Sequence, residues 1–253
     1  MKNGFWLTLI GILCFVNGKT QDTIVYFDRP GIGDGPYITQ KGKINLESGW
    51  AYSTYFNSQF SYFPSTLVRF QLAPSNELRM MYDYAPKSLN FLRDANGHDF
   101  TYLSIGSKQR LGRTPNTFAD IALMGNVFYP LRLIGDFNSQ NVCFDAYLVF
   151  EHNAPSGSYI NYSIGYIYGG HLLKDILQWS FAGNLYVGKF LVFAEAFGYI
   201  HLNHLEPEFG FDAGIIYEFN GNMQVDFSAI YNKYGRFDQA LFYALGYSVC
   251  IGR

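Results

Sequence analysis

From residue 43 onward, apolar and polar residues trade places at every second position. Trp179, Phe181, Gly183, Leu185 and Val187 fall on one side of an extended chain, and Gln178, Ser180, Ala182, Asn184 and Tyr186 on the other. Phe209, Phe211, Ala213, Ile215 and Tyr217 separate in the same way from Gly210, Asp212, Gly214 and Glu218. So do Leu241, Tyr243, Leu245, Tyr247, Val249 and Ile251 from Ala244, Gly246, Ser248 and Cys250. A period of two with one apolar face is the pattern of a β-strand. It predicts strands over 43–53, 64–73, 76–85, 98–110, 117–128, 141–152, 157–168, 177–187, 190–200, 208–219, 223–232 and 239–251. That is an even set of twelve, as an antiparallel barrel needs in order to close.

The links between these strands alternate in length. Pro74-Ser75, Gly112-Arg113-Thr114-Pro115, Asn153-Ala154-Pro155-Ser156, Gly188-Lys189 and Asn220-Gly221-Asn222 are short. The links 54–63, 86–97, 129–140, 169–176, 201–207 and 233–238 are longer. Tight turns at one end and longer loops at the other are expected of an outer-membrane barrel, and a sandwich with Greek-key crossings has no reason to alternate so regularly. With the first link on the long side, both termini fall in the periplasm. The predicted fold is therefore all-β, a transmembrane antiparallel up-and-down β-barrel of about 12 strands.

The stretch ahead of the strands adds a compartment. Lys2 is followed by an apolar run from Phe5 to Val16 and then by the polar Asn17-Gly18-Lys19-Thr20-Gln21. This is the layout of a secretory signal peptide, too short to span a bilayer. The expected organisation is a signal peptide over 1–21, an N-terminal segment rich in Gly and Pro over 22–42, and the barrel over 43–253. No later segment holds ~20 consecutive apolar residues, so helical spans are excluded. A membrane-embedded chain of this kind must then be a closed barrel, because lipid offers no partner to an open strand edge. Cys143 and Cys250, far apart on separate predicted strands, are expected to be free thiols.

Composition agrees. Of the 253 residues, 15% are charged and 19% aromatic, with 21 Tyr, 24 Phe, 3 Trp and 26 Gly. A soluble globule carries roughly 25% charge. A net charge of −2 gives no reason to expect nucleic acid as a partner. The partners expected instead are the lipid bilayer with lipopolysaccharide, the outer-membrane insertion machinery, and a small molecule whose identity is open. The location expected is the outer membrane of a Gram-negative bacterium.

Strand charges belong in the lumen, since Lys or Arg facing lipid at mid-bilayer costs ~2–4 kcal/mol. The inward candidates are Glu47, Arg69, Arg79, Asp83, Lys108, Asp120, Asp145, Glu195, Asp212, Glu218 and Asp226. They either set the selectivity of a polar conduit or knit into an ion-paired filling that stabilises the barrel. Tyr147, Tyr159, Tyr186, Phe193, Tyr199 and Phe242 share the inward face and either offer stacking surfaces or pack the lumen shut. His201, His204 and Glu206 fit no standard zinc spacing, so no metal is expected, and no cofactor either. Neither a Gly-x-Ser-x-Gly elbow nor a Ser-His pairing on neighbouring strands supports a hydrolase.

Three stretches resemble a known family. Asp28-Arg29-Pro30, then Pro36 and Lys41-Gly42 ahead of Asn45-Leu46-Glu47-Ser48-Gly49, resembles the opening of the transporter-like family named for the MetA pathway of phenol degradation. Its members often begin Thr-Asp-Arg-Pro and run into a Gly-x-x-x-x-Glu-x-Gly strand; here Phe27 replaces the Thr. Leu67-Val68-Arg69-Phe70 with Asn76-Glu77-Leu78-Arg79 resembles the family's second hairpin, with Gln71 where Gly is usual. Ile105-Gly106-Ser107-Lys108 with Pro115-Asn116-Thr117-Phe118-Ala119 resembles the next pair, and Glu195 matches a later glutamate. The chain ends on Cys250-Ile251-Gly252-Arg253 rather than on the terminal Phe common in outer-membrane proteins. The resemblance implies a channel-like uptake role and no enzyme, and it fixes no substrate. It favours Asp28, Arg29 and Pro30 as part of a plug in the periplasmic mouth, with Arg29 on carboxylates such as Glu47. The alternative is a local turn set by Pro30 and Gly31.

The functions left open are passage of small molecules, aromatic or hydrophobic among them, and a non-conducting barrel that offers its surface to a partner. An outer-membrane enzyme of lipid chemistry ranks behind both.

Overall fold

The structure is a computed structural model. It describes residues 27–28, 31, 33–55, 58–85, 100–113, 119–131, 142–154, 157–168, 175–202, 206–234 and 238–252. The signal-peptide segment 1–21, Arg29, Pro30 and the predicted strand starts at 98–99 and 117–118 lie outside the described residues.

Twelve strands form in chain order: β1 Lys43–Tyr55, β2 Ser58–Ala73, β3 Asn76–Ala85, β4 Phe100–Arg113, β5 Ala119–Leu131, β6 Cys143–Asn153, β7 Tyr159–Tyr168, β8 Ile176–Val187, β9 Phe190–His201, β10 Glu206–Asn220, β11 Met223–Tyr234 and β12 Asp238–Gly252. Each pairs antiparallel with its sequence neighbours, and β1 closes the ring on β12, Lys43 opposite Gly252 and Tyr55 opposite Ala240. Closure leaves no strand edge, the condition for placing a sheet in lipid. Lys43 and Gly252 meet at one end, so the barrel begins and finishes on the same side.

The alternation read from the sequence is the alternation of the two faces. Ile105, Ile164, Phe181, Leu185, Phe211 and Leu245 stand exposed on the outside, while Asn45, Glu47, Ser104, Lys108, Ser180 and Ser228 are buried inside. Where large rings do point inward, they lie against glycine. Tyr147 stands opposite Gly165, Phe193 opposite Gly214 and Phe197 opposite Gly210. The nearest atoms to a β-carbon on any of those glycines would include the facing ring. The glycines thus let bulky rings lie along the wall instead of crossing the lumen.

Cys143 and Cys250 are buried on β6 and β12 and unbonded to each other. The predicted long link at 54–63 is overturned. β2 starts at Ser58, and Tyr55 pairs with Ser58 across residues 56–57. The polar–aromatic alternation of Gln59, Phe60, Ser61 and Tyr62 carries the ladder on past the expected turn. The links predicted at 201–207 and 233–238 shorten for the same reason, as β10 starts at Glu206 and β11 runs to Tyr234. The regular long–short alternation of links is therefore clearest at 86–99 and 132–142.

Candidate functional site

The N-terminal segment leaves the start of β1 and runs inside the barrel. Thr39 donates through its backbone N–H and its hydroxyl to Glu77 Oε2, at 2.6 and 2.7 Å. Tyr37 donates to Asp120 Oδ2 at 3.1 Å and accepts from Asn153 Nδ2 at 2.6 Å, with the Arg110 guanidinium 5.1 Å above its ring. Gly33 N–H donates across the lumen to Glu195 Oε1 at 2.8 Å. The segment therefore touches β3, β5, β6 and β9, reaching round much of the inner wall.

Its anchor is Asp28. The carboxylate pairs with Arg69 on β2, Arg79 on β3 and Lys108 on β4, the last at 2.7 Å, and its backbone N–H donates to Glu47 Oε2 at 2.9 Å. Arg69 Nε lies 2.9 Å from Glu47 Oε1, within ion-pair range but off the line of a hydrogen bond. Arg79 also reaches Asp34 Oδ1 at 3.3 Å and Glu77 Oε1 at 3.4 Å. Lys108 Nζ donates to the Gly35 carbonyl at 2.9 Å. The side chains of Arg69 and Lys108 are 0% exposed, so these charges depend on one another. Burial pushes the Asp28 carboxyl up, but Arg69, Lys108 and Arg79 together outweigh it and hold the group well below the usual carboxylate range. Burial pushes the Asp34 carboxyl up, with Asp28 beside it adding to the rise and Arg79 opposing it.

The structure thus brings Glu47, Arg69, Arg79 and Lys108 into one cluster, with Asp28 at its centre. Asp120 joins through Tyr37 and through Arg110 Nη2 at 3.0 Å. Asp145 stands apart on β6, accepting from Asn126 at 2.8 Å. Glu195, Asp212 and Asp226 are buried inward on β9, β10 and β11. Glu218 sits at the rim near the β8–β9 turn and accepts from Tyr186 at 2.9 Å. Asp83 lies opposite Ser65, and its side chain is outside the described residues. Arg29 and Pro30, and with them the contact to Glu47 expected of Arg29, also lie outside them; Glu47 accepts from the backbone N–H of Asp28.

Four participants are missing from the inward candidates of the sequence reading: Glu77, Arg110, Glu151 and Asp34. Strand parity puts Glu77 on the face of Arg79, Arg110 on that of Lys108 and Glu151 on that of Tyr147, so simple counting by two would have found them. Asp34 lies in a segment with no period to count. At the far mouth His201 Nε2 is 3.0 Å from Glu208; His171 and His204 lie outside the described residues.

A cavity remains between the segment and the wall of β6 to β10, lined by Tyr37, Glu151, Tyr159, Asn161, Phe193 and Glu195 among others.

No curated protein matches the sequence. Solved structures do match by fold. An outer membrane channel from Pseudomonas putida F1 aligns with TM-score 0.60 at 9% identity, over 88% of this chain and 99% of that one. The NanC porin aligns at 0.55 and 8%, over 81% and 98%. The CymD monoaromatic hydrocarbon channel aligns at 0.51 and 10%, over 85% and 90%. The fold is that of outer-membrane barrels. The family model described as "Putative MetA-pathway of phenol degradation" matches residues 27–236, from the anchoring segment to the link after β11, and the chain belongs to that family.

Proposed function

We propose that the chain is an outer-membrane channel for small molecules, aromatic or hydrophobic ones among them, in which the N-terminal segment narrows the lumen. The carrying observation is the inverted barrel. Apolar side chains face outward, while carboxyl, amide and aromatic groups surround an internal cavity. A barrel that spans lipid merely as an anchor has no need of a polar interior with space left in it. The name of the CymD channel supports an aromatic solute, and among the described residues no hydrolytic arrangement competes with transport. Insertion would place the outer face in the bilayer, beside lipopolysaccharide on the outer leaflet, after delivery by the outer-membrane insertion machinery. The inward carboxylates and cations named above would set selectivity by charge and width.

One observation favours a second reading. Asp28, Glu47, Arg69, Glu77, Arg79 and Lys108 are locked together with almost no exposure, as in a permanent filling of a non-conducting barrel. Planar-bilayer conductance separates the two. A purified protein that opens discrete channels, with permeability to monoaromatic solutes in liposomes, bears out transport. Traces that never leave the background assign the barrel to the second reading.

A further inference from the structure

Two consecutive residues of the N-terminal segment touch opposite sides of the barrel. Gly33 donates its backbone N–H to Glu195 Oε1 on β9 at 2.8 Å, and Asp34 Oδ1 accepts from Arg79 Nη2 on β3 at 3.3 Å. β3 and β9 stand six strands apart in a ring of twelve, so these contacts lie across the width of the bore. Arg79, Gly33-Asp34 and Glu195 thus form a crossbar. The wall around it is dry. Glu47, Lys108, Val149, Ser180, Asp212 and Ser228, spread over β1, β4, β6, β8, β10 and β11, are each no more than 3% exposed. A water-filled channel wets the polar groups that line it. Here these inward positions leave no wetted wall along which a solute could travel.

The crossbar is held differently on its two sides. Toward β2, β3 and β4, Asp28 binds Arg69, Arg79 and Lys108, Asp34 adds its contact to Arg79, and the Gly35 carbonyl accepts from Lys108 at 2.9 Å. Toward β8 and β9 the segment presents glycine. A β-carbon on Gly33 would run into Ser180 Oγ and lie 2.9 Å from Glu195 Oε1, and one on Gly31 would lie 3.0 Å from Glu195 Oε2. Gly31 has a φ of 121°, which residues with a β-carbon rarely adopt. Bare backbone approaches a wall closely, and it leaves without drawing a side chain out of a packed site.

We propose that the crossbar is a gate. The structure is its closed state, and solutes pass when Gly33 draws away from Ser180 and Glu195 while Asp28 keeps its hold on β2, β3 and β4. The proposal deepens the channel reading and rests on it. It makes the channel a two-state element in which a minor open form, on the order of 0.1–10% of the molecules, carries the traffic.

The test is a disulfide across the contact. A β-carbon on Gly33 would lie 3.4 Å from the Ser180 β-carbon, close to the ~3.5–4.5 Å that a disulfide spans. Gly33→Cys/Ser180→Cys is made in the full chain with Cys14, Cys143 and Cys250 replaced by alanine. Conductance in potassium chloride and swelling of liposomes in arabinose are measured before and after reduction. The oxidised pair is expected to lose about tenfold or more of the parent's activity and to regain it on reduction, because the bridge removes the open form. Oxidised and reduced pairs that conduct alike overturn the gate and keep the channel. A pair that folds, by heat-modifiable gel migration, but never bridges also overturns it.

Should the pair not fold, Gly33→Ala takes its place. Its methyl group crowds Ser180, which is expected to raise activity about tenfold. Gly33→Ala/Ser180→Gly, which makes room again, should return it to the parent's level. Gly33→Ala that behaves like the parent, where the parent conducts, overturns the gate. Silence in the parent and in Gly33→Ala alike removes the channel reading and the gate with it.

Discussion

Lys108 offers its single ammonium to both carboxylate oxygens of Asp28, at 2.9 and 2.7 Å. One partner stands in the middle of the sheet and the other ahead of the first strand, so this contact ties the loose end of the chain to the finished barrel. Arg69 and Arg79 share the same carboxylate. Asp28→Asn would leave three buried cations one negative charge short, and breaking such a pair costs about 3–5 kcal/mol. The expected outcome is release of the segment. Conductance rises, and trypsin cuts after Lys41 at a protein concentration where the parent resists. Removing the opposing charge as well, in Asp28→Asn/Lys108→Met, should recover part of the lost resistance. A double variant no better than the single one would show that Lys108 is answered by something other than Asp28.

The same carboxylates give docking a pH dependence with two limbs. Asp28 is held below its usual range once Arg69, Lys108 and Arg79 outweigh its burial. Its contribution is complete above the unfolded value, near ~3.9, and is lost as pH falls through the lowered one. Asp34 is raised by burial, with Asp28 adding to the rise. Its ionised form is therefore the disfavoured one in the docked segment, and the cost grows as pH climbs from the unfolded value through the raised one. Docking should be strongest near the unfolded carboxyl value, about 3.9. Hydrogen exchange at the Thr39 amide, corrected for the intrinsic rate, is expected to be slowest there and faster on both sides. Asp34→Asn should flatten the alkaline limb and leave the acid limb in place; an alkaline limb that survives it would exonerate Asp34.

How much of this was legible in the chain depended on whether a residue sat on a strand with two unlike sides. Trp179 and Phe181 against Gln178 and Ser180 declare both the strand and its inner face, because lipid and lumen demand opposite chemistry at successive positions. Glu77 and Glu151 were legible by the same parity. The link after β1 was misread because Ser58 to Tyr62 mixes serine and glutamine with aromatics. That composition suits a loop as well as a ladder, and only pairing with Tyr52 to Tyr55 decides it. The cluster around Asp28 was half legible. Its strand members are marked as inward, but nothing local says that position 28 meets β2, β3 and β4 at once. The contact of Gly33 with Glu195, separated by 162 positions, exists only because the ring closes.

Phe197 and Gly210 form a cross-strand pair in which the ring occupies the space of the missing side chain. Gly210→Ala would put a methyl group into that ring, and overpacking of this kind costs about 1–3 kcal/mol. Phe197 is 1% exposed, so it has little freedom to swing away. The urea midpoint of unfolding, read by heat-modifiable migration, should fall for Gly210→Ala. It should recover in Gly210→Ala/Phe197→Leu, where the smaller side chain makes room. Gly214→Ala behaves differently, because its β-carbon would also meet the Phe227 carbonyl oxygen at 2.5 Å. Trimming Phe193 to Leu beside it should rescue little. Equal rescue at both sites would mean that ring contact alone sets the need for glycine.

Phe211 and Asp212 are neighbours in the chain and face opposite solvents, which makes them a direct test of which side meets lipid. Phe211 is 62% exposed on the outer face, and Asp212 is 1% exposed on the inner one. Phe211→Arg near the middle of β10 should cost about 2–4 kcal/mol in a bilayer, because the guanidinium must be drawn into hydrocarbon. In detergent the penalty should shrink, since water reaches the micelle interface more readily. Asp212→Asn should behave oppositely. It changes no contact with lipid, so its effect on unfolding should be the same in bilayer and detergent. The measurement is the unfolding midpoint of both variants in liposomes and in micelles. A Phe211→Arg penalty that does not depend on the surrounding medium would mean that this face is not the one in contact with lipid.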